Sequence, residues 1–114
     1  EEIPAMVVAC AHLEDTHPTD TELGRLSVVG GASIYPAVQN FILGCREAQL
    51  GASLTTLLCL FEPQVKELLG MPEDAATVAH IAVGHRTKAF PTKLDRMGLE
   101  EIVFSETWGE VTYS

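Results

Sequence analysis

Basic side chains are scarce in this 114-residue chain: seven Lys and Arg stand against sixteen Asp and Glu, a formal charge of −9. Such an imbalance repels a polyphosphate backbone and argues against nucleic acid as a partner. Cysteine is sparse and odd in number. Cys10, Cys45 and Cys59 lie far apart among Ala, Val and Leu, which implies no disulfide framework. They read as small buried hydrophobes in a reducing, cytoplasmic setting. Long hydrophobic runs are missing too: the stretch from Leu50 to Phe61 is broken by Ser53, Thr55 and Thr56. It falls short of the roughly 20 residues that a bilayer span needs, so a soluble chain with no membrane partner is expected. There is no tandem repeat or low-complexity tract. The opening EEIPAMVV has neither an initiator Met nor a basic leader region and reads as the interior of a longer chain.

What is present fits one domain at most. The run IPAMVVACAHL, within residues 1–13, is continuously apolar and suggests a strand covered on both faces. The polar stretch EDTHPTDTELG that follows has the composition of an exposed loop. His12 and His17 flank Glu14 and Asp15 there, but without the spacing of a helical or zinc-finger site, and no metal is expected. The strongest helical signal spans residues 33–50. Ser33 can cap it, Pro36 suits its first turn, and Ile34, Val38, Phe41, Ile42, Cys45 and Ala48 recur at helical spacing. Tyr35, Ala37, Leu43 and Gly44 make its other face apolar as well, which fits either a dimer seam or a central core helix.

After a short apolar turn from Leu54 to Leu60, Pro63 opens a helix over 62–70. Val65, Leu68 and Leu69 form its buried stripe, and Gly70 closes it. Residues 77–84, TVAHIAVG, predict a second central strand in which His80 is a satisfied core or rim histidine. Residues 85–114 read as an extended arm in which LEEIVF alone can form a turn of helix or a short strand. The order implies an α+β (α/β layered) domain, a sheet flanked by helices with a long C-terminal arm. Arg86, Lys88, Lys93 and Arg96 concentrate positive charge in that arm, either as a solvated turn or as a seat for a small anion.

Three phrases, IYPAVQNFILGCREAQLGASLTTLL, EPQVKELLGMPEDAATVAHIAVGH and FPTKLDRMGLEEIVFSETWG, resemble the nitroreductase family of flavoproteins in order, from Ile34 to Gly109. The resemblance implies a nitroreductase-like sheet in a homodimer that holds flavin mononucleotide (FMN) in clefts between subunits. It implies NAD(P)H as reductant and nitroaromatic, quinone or similar small-molecule electron acceptors. Carried over by position, Leu54, Thr55, Thr56 and Leu57 match the segment along the flavin ring, while Lys93 and Arg96 match the residues that meet its phosphate. Arg96 is the stronger candidate, because a guanidinium grips phosphate with paired donors.

The chain departs from the family at several places. Nothing in it matches the family's N-terminal Arg-x-Ser-x-Arg element, Gln49 stands where Gly is common, and His85-Arg86 replace Tyr-Pro. No side chain is assigned as catalytic, because hydride transfer belongs to the flavin. The implied function is a flavin-dependent oxidoreductase or the C-terminal part of one. The alternative is a truncated, non-catalytic dimerisation or flavin-sequestering module. Without the resemblance, Thr55 and Thr56 read as strand-end residues bonding local backbone.

Overall fold

The computed structural model describes residues 3–111; the outermost residues of the expected N-terminal strand and of the arm lie outside them. Three strands, β1 (Ala5–His12), β2 (Leu50–Thr55) and β3 (Ala75–His85), form an antiparallel sheet in the order β1-β3-β2. Helix α1 (Tyr35–Glu47) lies between β1 and β2 in sequence, α2 (Glu62–Leu69) between β2 and β3, and the single turn α3 (Leu99–Ile102) in the arm. The architecture is α+β.

Helix α1 covers one face of the sheet. Its periodic stripe delivers Val38 to a buried cluster with Ala79 and Ile81, against which Val7, Ala9, Ile34, Ile42, Ala52 and Val83 pack. Burying the Ile81 side chain stabilises the fold by about 1.5–3 kcal/mol. Pro36 sits in the first turn of α1 as expected, but Ile34 rather than Ser33 occupies the N-cap position, and no side chain caps it.

The centre of the sheet is β3. β1, expected to be covered on both faces, is instead an edge strand in which Ala5, Met6, Cys10 and His12 are exposed. An apolar run records only the side chains of one strand, whereas burial depends on which strands flank it. Cys10 departs from expectation for the same reason, while Cys45 is buried and Cys59 half-buried.

The expected helix over 33–50 ends at Glu47, and Leu50 already belongs to β2, whose last residues, Leu54 and Thr55, open the apolar stretch read as a turn. Gln49 reverses the chain with φ 61°, a left-handed conformation usually left to glycine. Helix α2 starts and stops where Pro63 and Gly70 place it, Gly70 having φ 63°. Its expected stripe is only partly inward: Val65 is half-buried, but Leu68 is 83% exposed and Leu69 is also exposed. The helix is short, and it is tied to the sheet through its first residue, Glu62.

That tie depends on a bulge. Ala9 pairs with Ala79 and Cys10 with Thr77, so Val78 is the extra residue of β3. The bulge turns Thr77 to the same side as His80, away from α1. There Glu62 Oε1 accepts from the Thr77 amide at 2.5 Å and from Thr77 Oγ1 at 3.0 Å, and Cys59 Sγ donates to the Thr77 carbonyl. The two Thr77 donors are the main cause holding the Glu62 carboxyl below its ordinary range. Burial first, and then the Glu62 charge, push the Cys10 thiol up. His80 is 1% exposed and among the described residues neither ring nitrogen has a partner, so the satisfied histidine expected from sequence is an unsatisfied one.

The arm leaves the sheet at His85 and makes the molecule long. The radius of gyration is 18.1 Å, against about 13 Å for a compact domain of this size. α3 forms within LEEIVF, with the Gly98 amide donating to Glu101 Oε1 at 3.0 Å.

Candidate functional site

Leu54, Thr55, Thr56 and Leu57 occupy the junction where β2 gives way to a tight 3-10 turn over Leu57–Phe61. Strand pairing fixes the first two, Leu54 opposite Ile81 and Thr55 opposite His80. Leu54 lies on the α1 side and is 41% exposed at the sheet edge, while Leu57 is 70% exposed. Thr55 Oγ1 accepts from the Leu57 amide at 3.2 Å, which commits that N–H within the chain. Thr56 has φ −112° and ψ 1°, and its carbonyl accepts from the Cys59 amide at 3.0 Å. The junction is thus an exposed apolar ledge, Leu54 and Leu57, around two threonines. Such a ledge fits the body of a flat aromatic ring with a few polar edge atoms.

Lys93 and Arg96 sit in the arm, exposed; the Arg96 guanidinium donates to the Asp95 carbonyl at 3.0 Å. Among the described residues no carboxylate lies within ion-pair distance of either. No hydrogen bond connects them to Leu54–Leu57, so the structure brings together the four junction residues but not the junction and the two cations. What ties the arm down is Phe90, whose ring centre lies 3.5 Å from the Arg46 guanidinium carbon and 4.7 Å from that of Arg86.

Sequence reading missed a cavity of about 730 Å³ between β1, the loop before α1, and α1 itself. Val7, Ala9, Val38 and Phe41 contribute apolar walls, with Asp15 and His17 also lining it. The loop holds its shape through Asp20, 4% exposed, whose carboxylate accepts from Ser27 Oγ at 2.7 Å, the Val28 amide at 2.9 Å and the Arg25 guanidinium at 2.7 Å. These hydrogen bonds, Ser27 first, hold its carboxyl down at about 2. The only signal for this knot in the sequence is an Asp followed by Arg and Ser, a pattern too common to read. Two shallower hollows have volumes of about 460 and 570 Å³. None of the three is lined by Leu54, Thr55, Thr56, Leu57, Lys93 or Arg96.

His12 lies apart from any metal-like cluster: its Nδ1 is 3.2 Å from Asp74 Oδ2. Among the described residues no three His, Cys, Asp or Glu side chains gather as metal ligands, and no helix is long and apolar enough to cross a membrane.

The central strand β3, the covering helix α1 and the ledge at the end of β2 together define a nitroreductase-like fold, and comparison with solved structures agrees. A nitroreductase family protein from Clostridium difficile matches with a TM-score of 0.69 at 16% identity, over 91% of this chain and 60% of that one. B. megaterium NfrA2 matches with a TM-score of 0.71 at 21% identity, over 92% of this chain and 46% of that one. A candidate oxidoreductase from Bacteroides fragilis matches with a TM-score of 0.69 at 19% identity, over 96% of this chain and 47% of that one. The chain therefore spans roughly half the length of these proteins. A sequence model of the nitroreductase family matches residues 3–85, and the chain belongs to that family. No curated protein matches it.

Proposed function

We propose that the chain is part of an FMN-dependent oxidoreductase of the nitroreductase type, passing electrons from NAD(P)H to nitroaromatic, quinone or similar acceptors in the cytoplasm. The observation that carries the reading is the family match over residues 3–85, which takes in the exposed Leu54–Leu57 ledge. Bound FMN supplies the redox chemistry. The chain's own part is binding and shielding. Leu54 and Leu57 cover apolar ring surface, the Thr56 backbone faces the polar ring edge, and Lys93 and Arg96 hold the phosphate. The Leu57 amide, taken by Thr55, leaves the Thr56 amide as the donor to the ring edge.

The reading includes a homodimer. The second face of α1 is open at Leu43 and Gly44, both exposed, and a ledge that lines none of the three cavities described above needs a surface from another element to enclose a ring.

The test is titration of the purified chain with FMN, followed by the visible flavin bands and by intact mass. Saturable FMN binding together with NAD(P)H-dependent reduction is the expected result; no perturbation of the flavin spectrum refutes it. A second reading is a non-catalytic dimerisation or flavin-sequestering module, which the exposed ledge at Leu54 and Leu57 supports equally well. Binding without reduction distinguishes it.

A further inference from the structure

The cavity between β1, α1 and the loop before α1 is the largest of the three, at about 730 Å³, inside the range of roughly 300–1,000 Å³ that holds small molecules. It draws on none of Leu54–Leu57, Lys93 or Arg96. Its body is apolar. Val7, Ala9, Val38 and Phe41 wall it, and Phe41 is left 40% exposed. Water against such walls is unfavourable, and an apolar occupant removes that cost.

Both sides of the cavity are held in place by the chain itself. The Asp20 carboxylate and its three donors fix the loop, and the Tyr35 hydroxyl, donating to the Val78 carbonyl at 3.0 Å, fixes the start of α1. The 3-10 turn Leu13–Asp15 after β1 is pinned by the Leu13 amide, which donates to the Asp74 carbonyl at 2.8 Å, and by the Thr16 hydroxyl, which donates to the Leu13 carbonyl at 2.8 Å. That turn sets Asp15, exposed, at the cavity's rim. Among the described residues the Asp15 carboxylate has neither an ion pair nor a side-chain hydrogen bond, and His17 on the same rim is equally free. His12 is engaged by Asp74 and Arg25 by Asp20. Among the described residues no Lys or Arg lines the cavity.

We infer that this cavity binds a small apolar amine: a body of about two fused rings or the same bulk against Phe41, Val38 and Ala9, and one ammonium group at Asp15, with a His17 ring nitrogen as second acceptor. Charge selects the head group. An anion meets an unpaired carboxylate in a chain of formal charge −9, whereas an ammonium gains a charge-assisted hydrogen bond there. The apolar walls select the body, and because loop, turn and helix are already fixed, little ordering cost falls on binding. The site shares no residue with the flavin ledge and stands independently of the flavin reading.

Fluorescence titration of the chain with 1-naphthylmethylamine, 1-naphthalenemethanol and 1-naphthoate tests the site, since the three probes share one ring system and differ in head-group charge. The amine is expected to bind saturably and about three- to tenfold more tightly than the alcohol, with the carboxylate weakest, the size expected of an ion pair at a partly solvated rim. Asp15→Asn is expected to abolish the amine's advantage and to leave the alcohol's affinity within about twofold. Asp15 is exposed, so the fold tolerates the change, and circular dichroism checks that it does. No saturable binding of the amine, equal affinity for amine and alcohol, or a preference that survives in Asp15→Asn overturns the site. Nuclear magnetic resonance on the unaltered chain locates the probe: the amine is expected to shift the amide signals of Ala9, Gly30, Ala37 and Phe41, and shifts confined to Leu54–Leu57 or to the arm overturn it. Neither experiment contains flavin, so failure here is distinct from failure of FMN to bind.

Discussion

The Tyr35 hydroxyl donates to the Val78 carbonyl at 3.0 Å, joining the first turn of α1 to the one residue of β3 that β1 skips. Bulged backbone groups lose ladder partners, and here a side chain on the covering helix supplies one. Tyr35→Phe is therefore expected to lower stability by about 0.5–1.5 kcal/mol without changing the fold. Urea unfolding followed by circular dichroism measures it; an unchanged midpoint would show that water serves the carbonyl equally well.

Gln49→Gly is expected to stabilise the chain. With φ at 61°, Gln49 sits where a side chain is disfavoured by roughly 1–2 kcal/mol. Glycine's greater freedom in the unfolded chain takes back about 0.5–1 kcal/mol. The long contact to Arg86 is a small loss, and a net rise of about 0.5–1 kcal/mol in the unfolding free energy is the outcome to look for. A fall would mean that the Gln49 side chain contributes more than its conformation costs.

Acid should loosen the loop before α1. The folded pKa of Asp20, about 2, lies below its ordinary value of 3.8, so its contribution is fully present above about pH 4 and is lost as pH falls through about 2. The Val28 amide reports this directly by nuclear magnetic resonance, through a shift with a midpoint near pH 2. Asp20→Asn removes the transition and speeds amide exchange across residues 20–28. A midpoint near 4 would mean that the Ser27, Val28 and Arg25 contacts do not persist in solution.

Arg96→Ala is expected to weaken FMN binding by about 1.5–3 kcal/mol and leave the far-ultraviolet spectrum intact. Its guanidinium makes no ion pair among the described residues, so little native structure depends on it. Fluorescence titration decides the matter, and undiminished affinity would transfer the phosphate role to Lys93 or another residue.

Light scattering at micromolar concentration should give the mass of a dimer, and Leu43→Glu should reduce it to that of a monomer. Leu43 is 54% exposed on the open face of α1, so a charge there is tolerated in a single copy and disfavoured in a seam. A folded, monodisperse monomer before mutation would refute the dimer.

Elements governed by local rules were legible in the sequence. The stripe through Ile34, Val38 and Ile42, the prolines at the starts of α1 and α2, and Gly70 at the close of α2 each act within a few residues of themselves. What escaped was set by pairing at a distance. Leu50–Thr55 mixes Gly, Ser and Thr with apolar residues and follows a helix whose end is marked by Gln rather than Gly, so neither the end of α1 nor the start of β2 was visible. The edge position of β1 follows from the order β1-β3-β2, which no run of residues encodes. The unsatisfied state of His80 depends on what packs over it. For the candidate site, Leu54–Leu57, Lys93 and Arg96 were proposed through family resemblance alone, whereas the contact of Arg46 and Arg86 with Phe90 was unreadable because it joins residues distant in sequence through an arm without regular structure.

The extra residue at Val78 works as a phase setter. Upstream of it the side-chain alternation of β3 runs one step out of register with the remainder, and only in that phase do the Thr77 amide and hydroxyl both reach Glu62. Deleting Val78 would restore regular alternation with Thr77 still opposite Cys10 and on the Glu62 side, and would remove the carbonyl that the Tyr35 hydroxyl reaches. The added length is what lets one strand serve the α2 tie on one side and the α1 hydroxyl through its own backbone. Relatives that lack the extra residue should keep the tie between α2 and the central strand and lose the Tyr35 contact.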